Sequence, residues 1–100
     1  MIQKISITDY HKQDDDILID LRDNTVFSFG TLTGAVNIPM NDIEKLYALP
    51  KHKRIVLFCQ QGDYSAEIAE LLSDNDYNVA DLTGGYREWL VSCALSGVNP

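Results

Sequence analysis

The most informative segment of the sequence is Ile55-Val56-Leu57-Phe58-Cys59, followed at once by Gln60-Gln61-Gly62-Asp63-Tyr64-Ser65. The apolar run predicts a buried strand, and the polar residues around the glycine predict a short loop. An amphipathic helix pattern, with apolar residues at 66, 68, 69, 71 and 72, begins directly after that loop. A strand end, a loop and a helix N-terminus aim several unpaired backbone N–H groups at one point, and Cys59 lies beside it. This placement favours the thiolate form of Cys59.

Cys59 also has a structural interpretation, because free cysteine often packs in a core as a small hydrophobic residue. The segment that follows weighs against that interpretation. Residues 60 to 63 are polar or lack a side chain, so position 59 is where the chain leaves the core for water. We therefore expect the sulfur to be reachable from solvent.

Length and composition predict one compact domain over residues 1–100. With 100 residues, 45% of them hydrophobic, the chain has material for one core and not for a second. No apolar run approaches the roughly 18 residues of a membrane helix. The first residues, Met1-Ile2-Gln3-Lys4, lack the charged, apolar and small-residue regions that follow one another in a signal peptide. We expect a soluble cytoplasmic protein with no membrane partner.

The cysteines and the charge exclude several classes of site. The chain has two cysteines, Cys59 and Cys93, with no Cys-x-x-Cys pair and no metal-ligand spacing to His11 or His52. A disulfide framework, a metal site and a bound cofactor are therefore not predicted. The formal net charge of −7 repels nucleic acid, so nucleic acid is not expected as a partner and basic partner surfaces are favoured.

Strand and helix patterns alternate along the whole chain. Further strands are predicted near residues 2–7, at 17–21, at 34–39 and at 79–82. A brief helix is predicted from Asn41 or Asp42, as its cap, through residue 46 or 49, and a last helix from residue 86 to about 94 after the turn Gly84-Gly85. Such alternation predicts an α/β domain of three layers, with a mostly parallel central sheet and helices on both faces.

In such folds the loops after the strands gather at one edge of the sheet and form the ligand site. Cys59, Arg22 and the Gly84-Gly85 turn each follow a predicted strand, so we expect them at that edge. Arg54 begins the strand that Cys59 ends, roughly 16 Å away, and is expected to keep the far edge solvated. The run Asp14-Asp15-Asp16 lacks the spacing of a calcium loop and is predicted to be a solvated turn.

Four segments, spread in order over most of the chain, carry a family resemblance. They are Leu18-Ile19-Asp20-Leu21-Arg22-Asp23, Gly34-Ala35-Val36-Asn37-Ile38-Pro39, the strand ending in Cys59 with Gly62 and Ser65 in its loop, and Leu82-Thr83-Gly84-Gly85-Tyr86 with Trp89. Together they resemble the rhodanese family in its short single-domain form. The resemblance implies a three-layer rhodanese-like fold. It also implies a sulfurtransferase in which Cys59 accepts a sulfane sulfur as a persulfide and passes it to a thiol or cyanide acceptor.

The loop after Cys59 departs from the family pattern in its charge. Family members that use thiosulfate commonly carry arginine directly after the cysteine and just before the serine, where this chain has Gln60 and Tyr64. Asp63 adds negative charge to a loop that has no cation. The family's usual His and Pro before the Gly-Ala segment are also replaced, by Thr31 and Thr33. We therefore expect a neutral or protein-bound persulfide as the sulfur donor rather than free thiosulfate.

The resemblance and the local pattern assign roles to the loop residues. Cys59 is the predicted nucleophile. The candidate substrate-binding residues in its loop are Gln60, Gln61, Gly62, Asp63, Tyr64 and Ser65. Gly62 is expected to supply the positive φ that lets successive N–H groups converge, and Ser65 is expected to cap the following helix.

Arg22 and Cys93 are the remaining candidates. Arg22 is a possible substrate-binding residue, but its neighbours Asp20 and Asp23 favour a structural ion pair. Cys93 could resolve a persulfide on Cys59, but its spacing fits the apolar stripe of the last helix. We expect Cys93 to pack in the core.

Two other functions fit parts of the pattern. Cysteine phosphatases clamp phosphate with the arginine that ends a Cys-x5-Arg loop, but here the sixth residue after Cys59 is Ser65, so that class is not favoured. A weakly catalytic or non-catalytic rhodanese-like partner-binding module is the remaining alternative. The missing basic residues support it, whereas the presence of Cys59 and Gly62 opposes it.

Overall fold

A five-stranded parallel sheet forms the centre of the computed structural model, which describes residues 2–100. In chain order the elements are β1 (Ile2–Ser6), β2 (Ile17–Asp20), α1 (Asn24–Ser28), β3 (Val36–Asn37), a 3-10 helix (Met40–Ala48), β4 (Arg54–Phe58), α2 (Asp63–Asp74), β5 (Asn78–Thr83) and α3 (Gly85–Ser96). Across the sheet the strands lie in the order β1-β5-β4-β2-β3, and every described pair of neighbours is parallel. The predicted α/β architecture is confirmed.

The central strand β4 is buried on both faces, which explains its unbroken apolar sequence. Ile55 and Leu57 belong to one core cluster, together with the buried face of α2. Val56 and Phe58 belong to a second cluster on the opposite face, where Tyr86 of α3 packs. All four strand side chains are fully buried, and each such burial stabilises the fold by roughly 1.5–3 kcal/mol. The helices therefore cover both faces of the sheet, as predicted.

The short helices differ from the sequence-based expectations. The helix α1 was not predicted, since it has five residues and none of them is buried. The brief helix after Pro39 is present as two short 3-10 helices within Met40–Ala48, which meet at a kink at Asp42, and Pro39, rather than Asn41, occupies the N-cap position of the first. Asp42 instead lies inside the segment with non-helical backbone angles, and its N–H donates to the Pro39 carbonyl. None of the helices within residues 2–100 has the length and apolar content needed to cross a bilayer.

The expectation of a wholly solvated acidic turn is wrong at Asp16. Its carboxylate is buried and accepts hydrogen bonds from Arg54 Nε at 2.8 Å, Arg54 Nη2 at 2.7 Å and the Tyr10 hydroxyl at 2.8 Å. Burial alone would raise the pKa of Asp16, but hydrogen bonds from Arg54, the Gln13 N–H and Tyr10 lower it to about 2. Arg54 is therefore a structural ion-pair partner, rather than a residue that only solvates the strand entrance.

Candidate active site

The carboxyl edge of the sheet brings the sequence-predicted residues together around one cavity. The cavity has a volume of about 760 Å³ and lies where the loops after β2 and β4 meet. The predicted site residues that line it are Arg22, Cys59, Gln60, Gln61, Asp63 and Tyr64. Of the other two, Ser65 is fully buried beneath the loop and Gly62 shapes the backbone around the sulfur.

Backbone N–H groups converge on the sulfur of Cys59. The Gly62 N–H donates to Sγ at 3.1 Å, and the Ser65 N–H donates to it at 3.3 Å. Gly62 has a φ of +96°, in the left-handed region that glycine adopts without steric cost. This conformation redirects the chain so that α2 starts immediately afterwards, and with it the segment that carries the Ser65 N–H. Two oriented N–H dipoles at hydrogen-bonding distance stabilise negative charge on Sγ.

Access to the sulfur is narrow. Cys59 is 4% exposed as a whole residue, yet it contributes to the wall of the open cavity. The cavity rim includes Val26 of α1 and Met40, which are 40% and 60% exposed. The sequence analysis missed both rim residues, because nothing in the local pattern connects positions 26 and 40 to the loop at 59.

Asp63 places a carboxylate beside the thiol. The Cys59 S–H points to Asp63 Oδ1 at 4.0 Å, and the same oxygen accepts the Tyr64 N–H at 2.8 Å. Burial raises the pKa of Tyr64, and the charges of Cys59 and Glu67 raise it further. No basic side chain of the loop faces this acidic group, as the sequence predicts.

Arg22 lies next to the cavity with its guanidinium already engaged. Its Nε donates to Asp20 Oδ1 at 3.0 Å, and its Nη2 donates to Asp20 Oδ2 at 2.8 Å and to the Gly30 carbonyl at 2.6 Å. Nη1 donates to Gln60 Oε1 at 3.4 Å, and the guanidinium stacks 4.0 Å from the centre of the Tyr86 ring. The favoured ion pair is therefore formed with Asp20, which is fully buried.

The predicted capping role of Ser65 is wrong. Gly62 occupies the N-cap position of α2, and no side chain caps that helix. The Ser65 hydroxyl instead donates to Asp81 Oδ1 at 2.7 Å and more weakly to the Gly62 carbonyl at 3.4 Å. Asp81 is buried in β5, and its second oxygen accepts a bond from Lys4 Nζ at 2.8 Å. The sequence signal for Asp81 was a single carboxylate inside an apolar strand, which the sequence analysis did not use.

The Gly84-Gly85 turn supports the Cys59 loop from the neighbouring strand. The Tyr86 N–H donates to the Cys59 carbonyl at 2.8 Å, and the Arg87 N–H donates to the Gln60 carbonyl at 3.0 Å. These bonds require close backbone contact, because a Cβ on Gly85 would lie 2.5 Å from the Gln60 oxygen. The first turn of α3 thus fixes the position of the strand end that carries the sulfur.

Cys93 is not among the residues that line this cavity. Cys93 is 4% exposed within α3, in agreement with the predicted packing role, and both cysteines are free thiols. Across residues 2–100, no group of three or more His, Cys, Asp or Glu side chains is arranged to hold a metal ion. Among the residues that line the cavity, the thiol is that of Cys59, whose Sγ accepts two backbone N–H groups.

Comparisons with known proteins agree on one family. A family model, the rhodanese-like domain, matches residues 7–92. The chain is 33% identical over 89 residues to the thiosulfate:glutathione sulfurtransferase of Homo sapiens, an alignment covering 73% of this chain and 77% of that protein. It is 32% identical over 99 residues to the adenylyltransferase and sulfurtransferase UBA4 of Meyerozyma guilliermondii, but spans only 23% of that longer protein while 87% of this chain is covered.

A solved structure supports the same assignment. The crystal structure of a rhodanese-related protein from Thermoplasma volcanium matches this fold with a TM-score of 0.72 and 28% sequence identity. The match covers 85% of this chain and 82% of that one.

Proposed function

The chain belongs to the rhodanese-like domain family, and on that premise we propose that it is a sulfurtransferase acting through a persulfide on Cys59. The sulfane sulfur passes from a donor to Cys59 and then to a thiol or cyanide acceptor. The observation that carries the proposal is the pair of N–H groups, from Gly62 and Ser65, that donate to Sγ. Relatives named as sulfurtransferases, one of them covered over 77% of its length, support the same class of reaction.

The first half-reaction needs a nucleophile and a place for negative charge. The Cys59 thiolate attacks the outer sulfur of the donor, and the bond between the donor's two sulfurs breaks with its electron pair leaving on the donor. The product is a Cys59 persulfide, whose inner sulfur is the Sγ that accepts the N–H groups of residues 62 and 65. Because these donors belong to the backbone, they hold their geometry as the sulfur reacts.

The preferred donor is a neutral or protein-bound persulfide rather than thiosulfate. Thiosulfate is a dianion, and two charge-assisted contacts of about 1.5–3 kcal/mol each are missing where Gln60 and Tyr64 replace arginines. That loss corresponds to roughly two to four orders of magnitude in binding. Asp63, 4.0 Å from the sulfur, adds repulsion. The exposed apolar rim of Val26 and Met40 suits a protein-bound donor.

Mass spectrometry tests the persulfide directly. After exposure to a persulfide donor, peptide mapping is expected to show a gain of about 32 Da, the mass of one sulfur, on Cys59. Cys59→Ser should abolish the gain, whereas Cys93→Ser is the matched control and should retain it. Sulfur on Cys93 alone would contradict the assignment.

Steady-state kinetics then test the donor preference. The same protein is assayed with thiosulfate and with a low-molecular-weight persulfide, using cyanide as the common acceptor. Turnover of the persulfide is expected to exceed that of thiosulfate at equal concentration. Efficient thiosulfate turnover with low half-saturation would contradict the preference while leaving the persulfide mechanism intact.

A partner-binding module is the second candidate function. It is favoured by the 4% exposure of Cys59 and by the exposed apolar side chains at the cavity rim. In that case the loop docks a partner without chemistry, and Cys59 stays unmodified in the mapping experiment. Ready modification of Cys59 excludes a purely docking role.

A further inference from the structure

The cavity beside Cys59 carries a net negative charge. Asp23 and Asp63 both line it and both are exposed to solvent. Arg22 is the cation in its lining, and its side chain is only 6% exposed and paired with Asp20. Since that pair neutralises itself, the field that an incoming molecule meets is set by the two carboxylates.

The two carboxylates are available for interaction with a substrate. Within residues 2–100, the Asp23 side chain forms no hydrogen bond and no ion pair, although Asp23 is the N-cap residue of α1. Asp63 accepts the Tyr64 N–H through Oδ1 and keeps its charge within 4.0 Å of Sγ. Within residues 2–100, neither carboxylate is paired with a basic side chain.

We propose that the sulfur acceptor of this site is a cationic thiol, one that carries an ammonium or guanidinium group next to its sulfur. This inference rests on the proposed function and names the acceptor class for it. Asp63 and Asp23 are then specificity-determining residues. They attract the cationic group and repel acceptors that carry a carboxylate, while the N–H groups on Sγ handle the reacting sulfur.

The transfer step is balanced without a further reactant. The acceptor thiol first loses its proton to solvent. Its thiolate attacks the outer sulfur of the Cys59 persulfide, a new bond forms between the acceptor sulfur and the transferred sulfur, and the original bond to Cys59 Sγ breaks. The electron pair of that bond remains on Sγ, which accepts the Gly62 and Ser65 N–H bonds again. No net oxidation or reduction occurs.

The expected selectivity follows from distance and dielectric. A unit charge about 4 Å from a carboxylate in water-like surroundings changes a rate by roughly fivefold. With Asp63 alone, a cationic acceptor should therefore react roughly fivefold faster than a neutral one, and a neutral one roughly fivefold faster than an anionic one. Asp23 widens both ratios. At about 1 M salt the screening length falls to roughly 3 Å, so the ratios should shrink toward one.

The test is single-turnover transfer from preloaded protein. Cys59 is converted to its persulfide, excess donor is removed, and loss of the added sulfur is followed by mass spectrometry with one of three acceptors of similar size. The acceptors are cysteamine, 2-mercaptoethanol and 3-mercaptopropionate, compared at equal thiolate concentration in low salt. The capped peptides Lys-Cys-Lys and Glu-Cys-Glu form a second arm, which distinguishes a small-molecule acceptor from a protein-bound one.

Three substitutions, each of which removes one negative charge, show which residue makes the transfer rate depend on the charge of the acceptor. Asp63→Asn keeps an oxygen that can accept the Tyr64 N–H but removes the charge, so it should lower the cation-to-anion ratio by roughly 25-fold, which is fivefold for each of the two steps in acceptor charge. Asp23→Asn should lower it less. Asp74→Asn is the matched control, because Asp74 is an exposed residue at the far end of α2 and its loss changes the net charge equally. It should leave the ratio unchanged.

The outcomes separate this inference from the proposed function. The proposal is supported if sulfur transfer to cysteamine and to Lys-Cys-Lys is faster than transfer to their anionic counterparts, and if Asp63→Asn removes the difference. The faster of these two cationic acceptors then shows whether the acceptor is a small molecule or a protein. A persulfide that forms normally but reacts equally with all acceptors, or that reacts best with the anionic ones, overturns the acceptor class and leaves sulfur transfer intact. If Cys59 takes up no sulfur at all, the proposed function fails and this inference fails with it.

Discussion

Gly85→Ala tests whether close backbone contact between the glycine turn and the Cys59 loop holds the site in place. Gly85 has a φ of +68°, and a Cβ there would lie 2.5 Å from the Gln60 oxygen and 2.7 Å from the Gln60 carbonyl carbon. These atoms belong to the backbone, so they cannot move away by rotating a side chain. The loop itself must shift, and it carries the N–H donors that surround the sulfur.

Gly97→Ala is a matched control for the backbone strain. Gly97 ends α3 with a φ of +70°, nearly the same as Gly85, but a Cβ there meets nothing within 4 Å. Its cost is therefore the left-handed conformation alone, about 1 kcal/mol. Gly85→Ala adds overpacking of about 1–3 kcal/mol. The difference between the two variants isolates the close approach of the loops.

Urea denaturation measures this difference. With a slope of about 1–3 kcal/mol per molar urea for a small domain, the midpoint of Gly85→Ala is expected roughly 1 M below that of Gly97→Ala. The rate at which Cys59 acquires sulfur should fall in Gly85→Ala and not in Gly97→Ala. Equal midpoints and equal rates would refute the reasoning, because the backbone contact would then impose no constraint on the loop.

Substitutions at three further residues test the buried polar contacts. Ser65→Ala is expected to lower the free energy of unfolding by about 1–3 kcal/mol, since buried Asp81 loses a hydrogen-bond donor. Persulfide formation should persist, because the backbone N–H of residue 65 remains. Thermal denaturation and mass spectrometry check the two effects, and loss of the persulfide in a folded variant would contradict the second. Arg22→Met leaves the Asp20 carboxylate buried without its cation and is expected to lower the free energy of unfolding, measured in urea, by about 3–5 kcal/mol. Arg22→Lys should recover less than half of that loss. A loss below about 1 kcal/mol in Arg22→Met would show that Asp20 does not need the ion pair. The pKa of Asp16 is about 2 in the folded protein, below its ordinary 3.8. Its contribution to the free energy of unfolding, roughly 2.5 kcal/mol, is therefore present above pH 4 and is lost as the pH falls toward 2. Asp16→Asn should flatten the plot of unfolding free energy against pH in that range, and an unchanged plot would exclude the Arg54 pair as its source.

The central layers of the fold could be predicted because their signals are local and strong. The continuous apolar run of β4 is typical of a strand buried on both faces, and the apolar spacing of α2 is typical of an amphipathic helix. Both elements pack into the core with the residues that the sequence indicates. The helix α1 could not be predicted, because it buries none of its residues and so carries no periodic apolar signal. The helical segment after Pro39 was predicted in the correct place, but its kink at Asp42 was not. Pro39 provides the extended residue before the first 3-10 helix, so Asn41 falls inside that helix, and Asp42 lies at the kink between the two.

The reactive loop was also readable from sequence, whereas its surroundings were not. Strand, loop glycine and helix start are neighbours in the chain, and their order alone places N–H groups beside Cys59. Asp81 meets Ser65 from 16 positions away, and Arg22 meets Gln60 from 38 positions away. Such contacts depend on strand order, which alternation of β and α patterns does not specify. The same limit explains the omission of Asp23 and of the rim residue Met40 from the predicted site.

Two side-chain cations near the Cys59 loop are engaged by buried carboxylates. Arg22 is paired with Asp20, and Lys4 reaches the buried Asp81 beneath the loop. In the proposed sulfur transfer, Sγ of Cys59 relies on the backbone N–H groups of residues 62 and 65, which no side-chain substitution at Gly62 or Ser65 removes directly. The carboxylates that face the cavity, in contrast, can each be neutralised with little change of shape. Reactivity and acceptor choice should thus respond to different substitutions, because the first depends on loop conformation and the second on the charge at the cavity surface.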